Sequence, residues 1–121
     1  MIDAKELKIG NWIEIFSNPY KVESINEQFI EATGYGRCWL QDVDPIKLTA
    51  DILVKNDWEL DHNRRDCTKF DDGYITIYEK GPNTFEIWLD DEKALPMYIH
   101  CVHEFQNVLS ILGYGDLDIE L

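Results

Sequence analysis

The first third of the chain is cut at short intervals by turn formers, Gly10-Asn11, Ser17-Asn18-Pro19 and Gly34-Tyr35-Gly36, which leaves no room there for a long helix. What fits between the turns is strand. Trp12-Ile13-Glu14-Ile15-Phe16 separates positions 12, 14 and 16 from 13 and 15 onto opposite faces. Tyr20 to Ile25 resumes an extended pattern, Gln28 to Ala32 gives a third run and Arg37 to Val43 a fourth. Residues 1–47 therefore read as a β meander. A glycine ahead of an apolar strand followed by tight turns is also how small SH3-like barrels begin.

The pattern changes at Pro45-Ile46-Lys47-Leu48. Thr49 is a good N-cap and Asp51 lies in the first turn, where the helix dipole favours an anion. Ile52 occupies the position where a capping box would need Glu or Gln. A short helix is expected within 48–57, running from Ala50 to about Asn56, with Asn56 or Asp57 taking the left-handed conformation that ends it. Residues 58–98 return to strand character: Trp58 to Leu60, Cys67 to Phe70, Tyr74 to Lys80 and Thr84 to Leu89. Gly81-Pro82-Asn83, Asp71-Asp72-Gly73 and Asp90-Asp91-Glu92-Lys93 are the intervening loops.

A C-terminal helix is predicted over 98–112, after Pro96. Its wheel gathers Tyr98, Cys101, Val102, Phe105, Val108, Leu109 and Leu112 into one apolar sector. His103 and Asn107 point the other way, with His100 and Glu104 at the flank. Gly113-Tyr114-Gly115 closes the helix, and 116–121 alternates as a terminal strand or an acidic tail.

The chain has 121 residues, 45% of them hydrophobic, enough for one domain with an ordinary core and no need of disulfides or a structural metal. Its formal charge is −13, with net −3 over residues 1–47 and net −10 over 48–121. Such a field repels phosphate backbones and anionic membranes, so neither direct nucleic-acid binding nor membrane association is expected. A protein with a basic surface remains a suitable partner. No apolar run approaches a membrane span, and Met1-Ile2-Asp3-Ala4-Lys5-Glu6 has neither part of a signal peptide. Three separated cysteines, Cys38, Cys67 and Cys101, suit a reducing cytoplasm.

The sharpest group of chemically capable residues is His100, His103, Glu104 and Asn107. Helical spacing brings these onto adjoining turns, where two imidazoles and a carboxylate could bind a transition metal or share a proton. A polar face that is solvated, or covered by a loop, is the favoured reading, ahead of contact with a partner and ahead of metal binding or catalysis. His-Cys-Val-His lacks the His-Glu-x-x-His spacing of zinc proteases, and no Cys-x-x-Cys pair exists to combine with His62, His100 or His103. Cys101 belongs to the apolar stripe, and a Cys101–His103 nucleophile–base pair is disfavoured because i and i+2 diverge on a helix. The acidic stretches at Asp57 to Asp66 and Asp90 to Glu92 lack the spacing of a calcium loop. No catalytic residue, cofactor or metal site is assigned.

Three segments carry a family resemblance: Met1 to Asn11 with Glu-Leu-Lys-Ile-Gly-Asn, Pro45-Ile46-Lys47-Leu48-Thr49, and Tyr98 to Asn107 with Val-His-Glu-Phe-Gln-Asn. Together they resemble small uncharacterised proteins of gut Bacteroides genomes and their prophages, which open with Glu-Leu-Arg-Ile-Gly-Asn and end with Val-His-Gln-Leu-Gln-Asn-Leu. Val102, His103, Gln106, Asn107, Leu112 and Leu117 match. Glu104, Cys101 and Asp57 depart, standing where the family has Gln, an aromatic and Gly. The resemblance covers under a third of the chain and implies no activity. It does imply that His103 and Asn107 belong to a shared motif, covered by the N-terminal strands or by a partner.

The expected fold is α+β: an antiparallel sheet or partly closed SH3-like meander, one short helix, and a C-terminal helix packed on the sheet. The expected function is that of a non-enzymatic binding or adaptor module of prophage or mobile-element origin. The alternatives are an acidic nucleic-acid mimic blocking a DNA-binding protein, and a small metal-binding protein or enzyme using His100, His103 and Glu104.

Overall fold

The computed structural model describes residues 2–61, 68–71, 75–89, 93–114 and 119–121. The fold is α+β with antiparallel sheets, as the strand and helix periodicities require. The chain divides into two compact units, Met1–Ile46 with Cys101–Asp118, and Lys47–His100 with Ile119–Leu121. Each has its own five-stranded sheet.

In the first unit, β1 (Trp12–Ile15), β2 (Asn18–Ile25), β3 (Phe29–Ala32), β4 (Gly36–Trp39) and β5 (Val43–Asp44) form an antiparallel sheet of order β4-β3-β2-β1-β5. The first hairpin turns at Phe16-Ser17, one residue earlier than the predicted Ser17-Asn18-Pro19. Ile15 pairs with Asn18 and Glu14 with Pro19. In a two-residue hairpin the closing pair is hydrogen-bonded and the next is not, so a proline at that next position removes no bond to its partner strand. The turn needs positive φ at both central residues, and Phe16 and Ser17 adopt 49° and 67°. Ile13, Ile15, Val22, Ile30, Ala32, Cys38 and Val43 form the core on the inner face.

The C-terminal helix α2 (Val102–Leu109) packs on β1 and buries Val102, Phe105 and Leu109. Burying each such side chain contributes about 1.5–3 kcal/mol. Gly113, at φ 97°, stops the helical segment where an L side chain would be strained.

The second unit is a meander of order β10-β9-β8-β7-β6, built from β6 (Glu59–Asp61), β7 (Thr68–Asp71), β8 (Ile75–Gly81), β9 (Thr84–Leu89) and β10 (Lys93–Ile99). Helix α1 (Ala50–Lys55) precedes it. Thr49 caps α1 by accepting from the Ile52 N–H, and Asp57 takes φ 69° just beyond the helix. Four consecutive β8 residues, Ile75 to Tyr78, are buried, so this central strand is covered on both faces.

Strand β10 occupies residues that the wheel placed in the C-terminal helix: Tyr98 pairs with Glu86 and Ile99 with Phe85. Pro96 looks like a helix-start signal, yet it sits where the register shifts between Ala94 and Tyr98, on an edge strand that tolerates a missing N–H. The helix therefore begins four residues later than expected. The predicted loop at Asp72-Gly73, the side chains of His62 and Cys67, the Asp90-Asp91-Glu92 stretch and residues 115–118 lie outside the described residues. Among those described, no helix is long and apolar enough to cross a membrane.

Candidate functional site

Helix α2 carries two adjoining stripes. Val102, Phe105 and Leu109 face the core, while His103, Gln106 and Asn107, related by i+3 and i+4, face residues 6–12. That facing segment is irregular. A 3-10 turn, Ala4–Glu6, is capped by Asp3, whose carboxylate accepts from the Lys5 N–H, and the chain then bends through Gly10 at φ 94° before β1 starts. Glycine is needed at Gly10 because this backbone conformation strains any L side chain. An irregular segment leaves peptide groups without ladder partners, and buried ones must find side chains.

The amides of α2 supply those partners. Gln106, buried, accepts at Oε1 from the Trp12 N–H (2.9 Å) and donates from Nε2 to the Gly10 carbonyl (3.2 Å). Asn107 donates from Nδ2 to the Glu6 carbonyl (2.7 Å) and accepts at Oδ1 from the Asn11 side chain (2.9 Å). Asn11, also buried, accepts at its own Oδ1 from the Lys8 N–H (2.8 Å). Both ends of each amide are engaged, so reversing any of them would set like against like.

His103 is 2% exposed, and its Nε2 lies 3.4 Å from a carboxylate oxygen of the half-exposed Glu6. Its Nδ1 is buried without a partner. The tautomer that donates from Nε2 to Glu6 leaves Nδ1 as a bare acceptor, which costs less than burying an unpaired N–H.

Cys101 precedes the helix and is half-buried. Burial, a hydrogen bond with Glu104 and the charges of Glu104 and Glu6 push its thiol up to about 12. It is a protonated thiol at neutral pH and not a nucleophile. Cys38, in the core, is likewise raised, by burial and by the Asp42 carboxylate.

The structure thus separates the four residues that the wheel grouped. His100 lies between β10 and Cys101, exposed and in the second unit, with its carbonyl accepting from the Leu48 N–H (2.9 Å). Glu104 is half-buried beside Cys101, and only His103 and Asn107 share the stripe facing residues 6–12. Gln106 is the polar anchor that the wheel overlooked. Its signal was its place in the Val-His-x-x-Gln-Asn motif, three residues after His103. Among the described residues no three His, Cys, Asp or Glu side chains assemble into a metal-binding group. Comparison with protein-family models, curated proteins and solved structures finds no match.

Proposed function

We propose that this chain is a non-enzymatic binding module that recognises another protein through its surface, and that it originates from a prophage or mobile element. The observation that carries the reading is the occupation of the α2 polar stripe. The amides of Gln106 and Asn107 hold backbone and side-chain groups of residues 6–12, and Cys101 is kept as a thiol. Groups engaged in this way position the chain and leave little for acid–base or nucleophilic work. Recognition then falls to exposed residues such as Phe16 and Trp39, 67% and 52% accessible, on a chain whose net charge of −13 favours basic partners.

The test is retention of a protein by the immobilised chain from lysate of the source cells, followed by calorimetry with the purified partner. An unrelated acidic protein of equal charge serves as the control. Specific retention and a saturable isotherm are expected. Retention no greater than on the control overturns the reading.

A further inference from the structure

The outer face of the β3–β4 edge already pairs a cation with an aromatic ring. Phe29 stands opposite Trp39 in the register, and Arg37 precedes Trp39 by two residues on the same face. The Arg37 guanidinium lies 4.2 Å over the Phe29 ring, and Trp39 meets Phe29 edge-on at 6.0 Å and 83°. Beside Trp39 opens a groove of about 550 Å³, within the range of small-ligand clefts. Its walls include the amides Gln28 and Gln41 and two charged residues, Asp3 and Glu27, both acidic. An indole, which is the best cation-binding ring, thus borders a groove in which the charged residues among those described are both acidic. The amides and carboxylates offer acceptors to a planar group with several N–H donors.

We propose that this groove binds an arginine side chain presented by a basic segment of a partner protein, with the guanidinium against Trp39 and within reach of the Glu27 and Asp3 carboxylates. The proposal rests on the binding-module reading and names its recognition chemistry. Arginine is preferred over lysine because the delocalised guanidinium stacks on a ring while its edge donates to carboxylates, as a compact ammonium does not.

The probe is an acetylated, amidated Gly-Arg-Gly-Arg-Gly peptide titrated into the full chain, labelled with nitrogen-15. Its control is the same peptide with citrulline for arginine, which keeps the shape and removes the charge. A saturable shift of the Trp39 indole N–H is expected, absent with citrulline. Trp39→Ala and Glu27→Gln should each weaken binding about two- to fivefold. Both positions are exposed, and a thermal melt equal to that of the parent confirms that each variant is folded. No saturable shift at Trp39, equal affinity for citrulline, or unchanged affinity in both variants overturns the proposal. If the peptide fails while the immobilised chain still retains a protein, the groove assignment falls and the binding-module reading stands. If the peptide binds and no protein is retained, the groove's preference is upheld and that reading falls.

Discussion

Both units use side-chain amides to hold chain segments far away in sequence, and they do so in different settings. In the first, Gln106 and Asn107 reach residues 6–12 across 94 to 101 positions, and the Gln106 amide is buried. In the second, Asn56 donates to the Ile52 and Glu120 carbonyls and accepts from the Glu120 N–H, all at 2.8 Å, while Lys55 donates to the Leu121 carbonyl. The Glu120 and Leu121 bonds are exposed to water, which can replace them at little cost. The buried ones have no such substitute. The buried Gln106 amide should therefore be worth more than the Asn56 amide, with Asn107, whose bond to the Glu6 carbonyl is exposed, in between.

Tryptophans make that contrast measurable, because Trp12 and Trp39 belong to the first unit and Trp58 and Trp88 to the second. Replacing either pair by Phe leaves reporters of one unit alone. The largest effect is expected for Gln106→Ala, which strands the Trp12 N–H and the Gly10 carbonyl. It should cost about 3 kcal/mol in urea unfolding, read in the Trp12/Trp39 background. Asn107→Ala follows at about 1.5 kcal/mol by the same reporters, because its bond to the Glu6 carbonyl is exposed while the one with Asn11 is part-buried. Asn56→Ala should cost about 1 kcal/mol and move only the Trp58/Trp88 transition. A loss there as large as that of Gln106→Ala would break the contrast, since exposure would then not be what sets the two apart.

His103→Leu tests the rule from the other side. The imidazole is more deeply buried than Gln106, yet its one contact is long, its partner Glu6 is half-exposed, and its Nδ1 has no partner. An apolar replacement should change stability by no more than about 1 kcal/mol in either direction. A cost above that of Asn107→Ala would show that the Glu6 contact is strong.

Cys101 gives the smallest signal at neutral pH. Iodoacetamide should modify it much more slowly than a free thiol at pH 8, because its thiolate forms only near 12. Since the folded pKa is raised above the ordinary value of 9.0, the stability it contributes is complete below about pH 9 and disappears as pH rises to about 12. Cys101→Ser should flatten that alkaline slope in a titration of unfolding free energy.

How much of this was legible in the sequence follows the range of the interactions. Local signals held for the first three strands, which fall within two residues of their alternating runs, for Thr49, which caps α1, and for Pro82-Asn83, which turns β8 into β9 with Asn83 at φ 53°. The fourth run, Arg37 to Val43, instead breaks after Trp39 into a 3-10 turn, Leu40–Asp42, and the separate strand β5. The start of α2 was misplaced because Pro96 carries the same local mark at an edge-strand bulge as at a helix start. The polar stripe was seen on the wheel, but its partners were not, because periodicity holds no information about which backbone lies opposite. Gln106 shows this most clearly. At its helical angle it passes for a solvent-facing residue, and its burial depends on a glycine bend 96 positions away.

The first unit is assembled from residues 1–46 and 101–118, with most of the second unit inserted between them. On a ribosome this has a temporal consequence. The meander of β1 to β5 emerges first and must wait, with the surface meant for Val102, Phe105 and Leu109 uncovered, while some 55 further residues are made. At roughly 5–20 residues per second that wait lasts about 3–11 s. The inserted sheet is close to contiguous in sequence and can complete its pairing in the interval. Vectorial synthesis thus favours the insert as the earlier folding event, and leaves the older half of the nascent chain exposed to chaperones until α2 arrives.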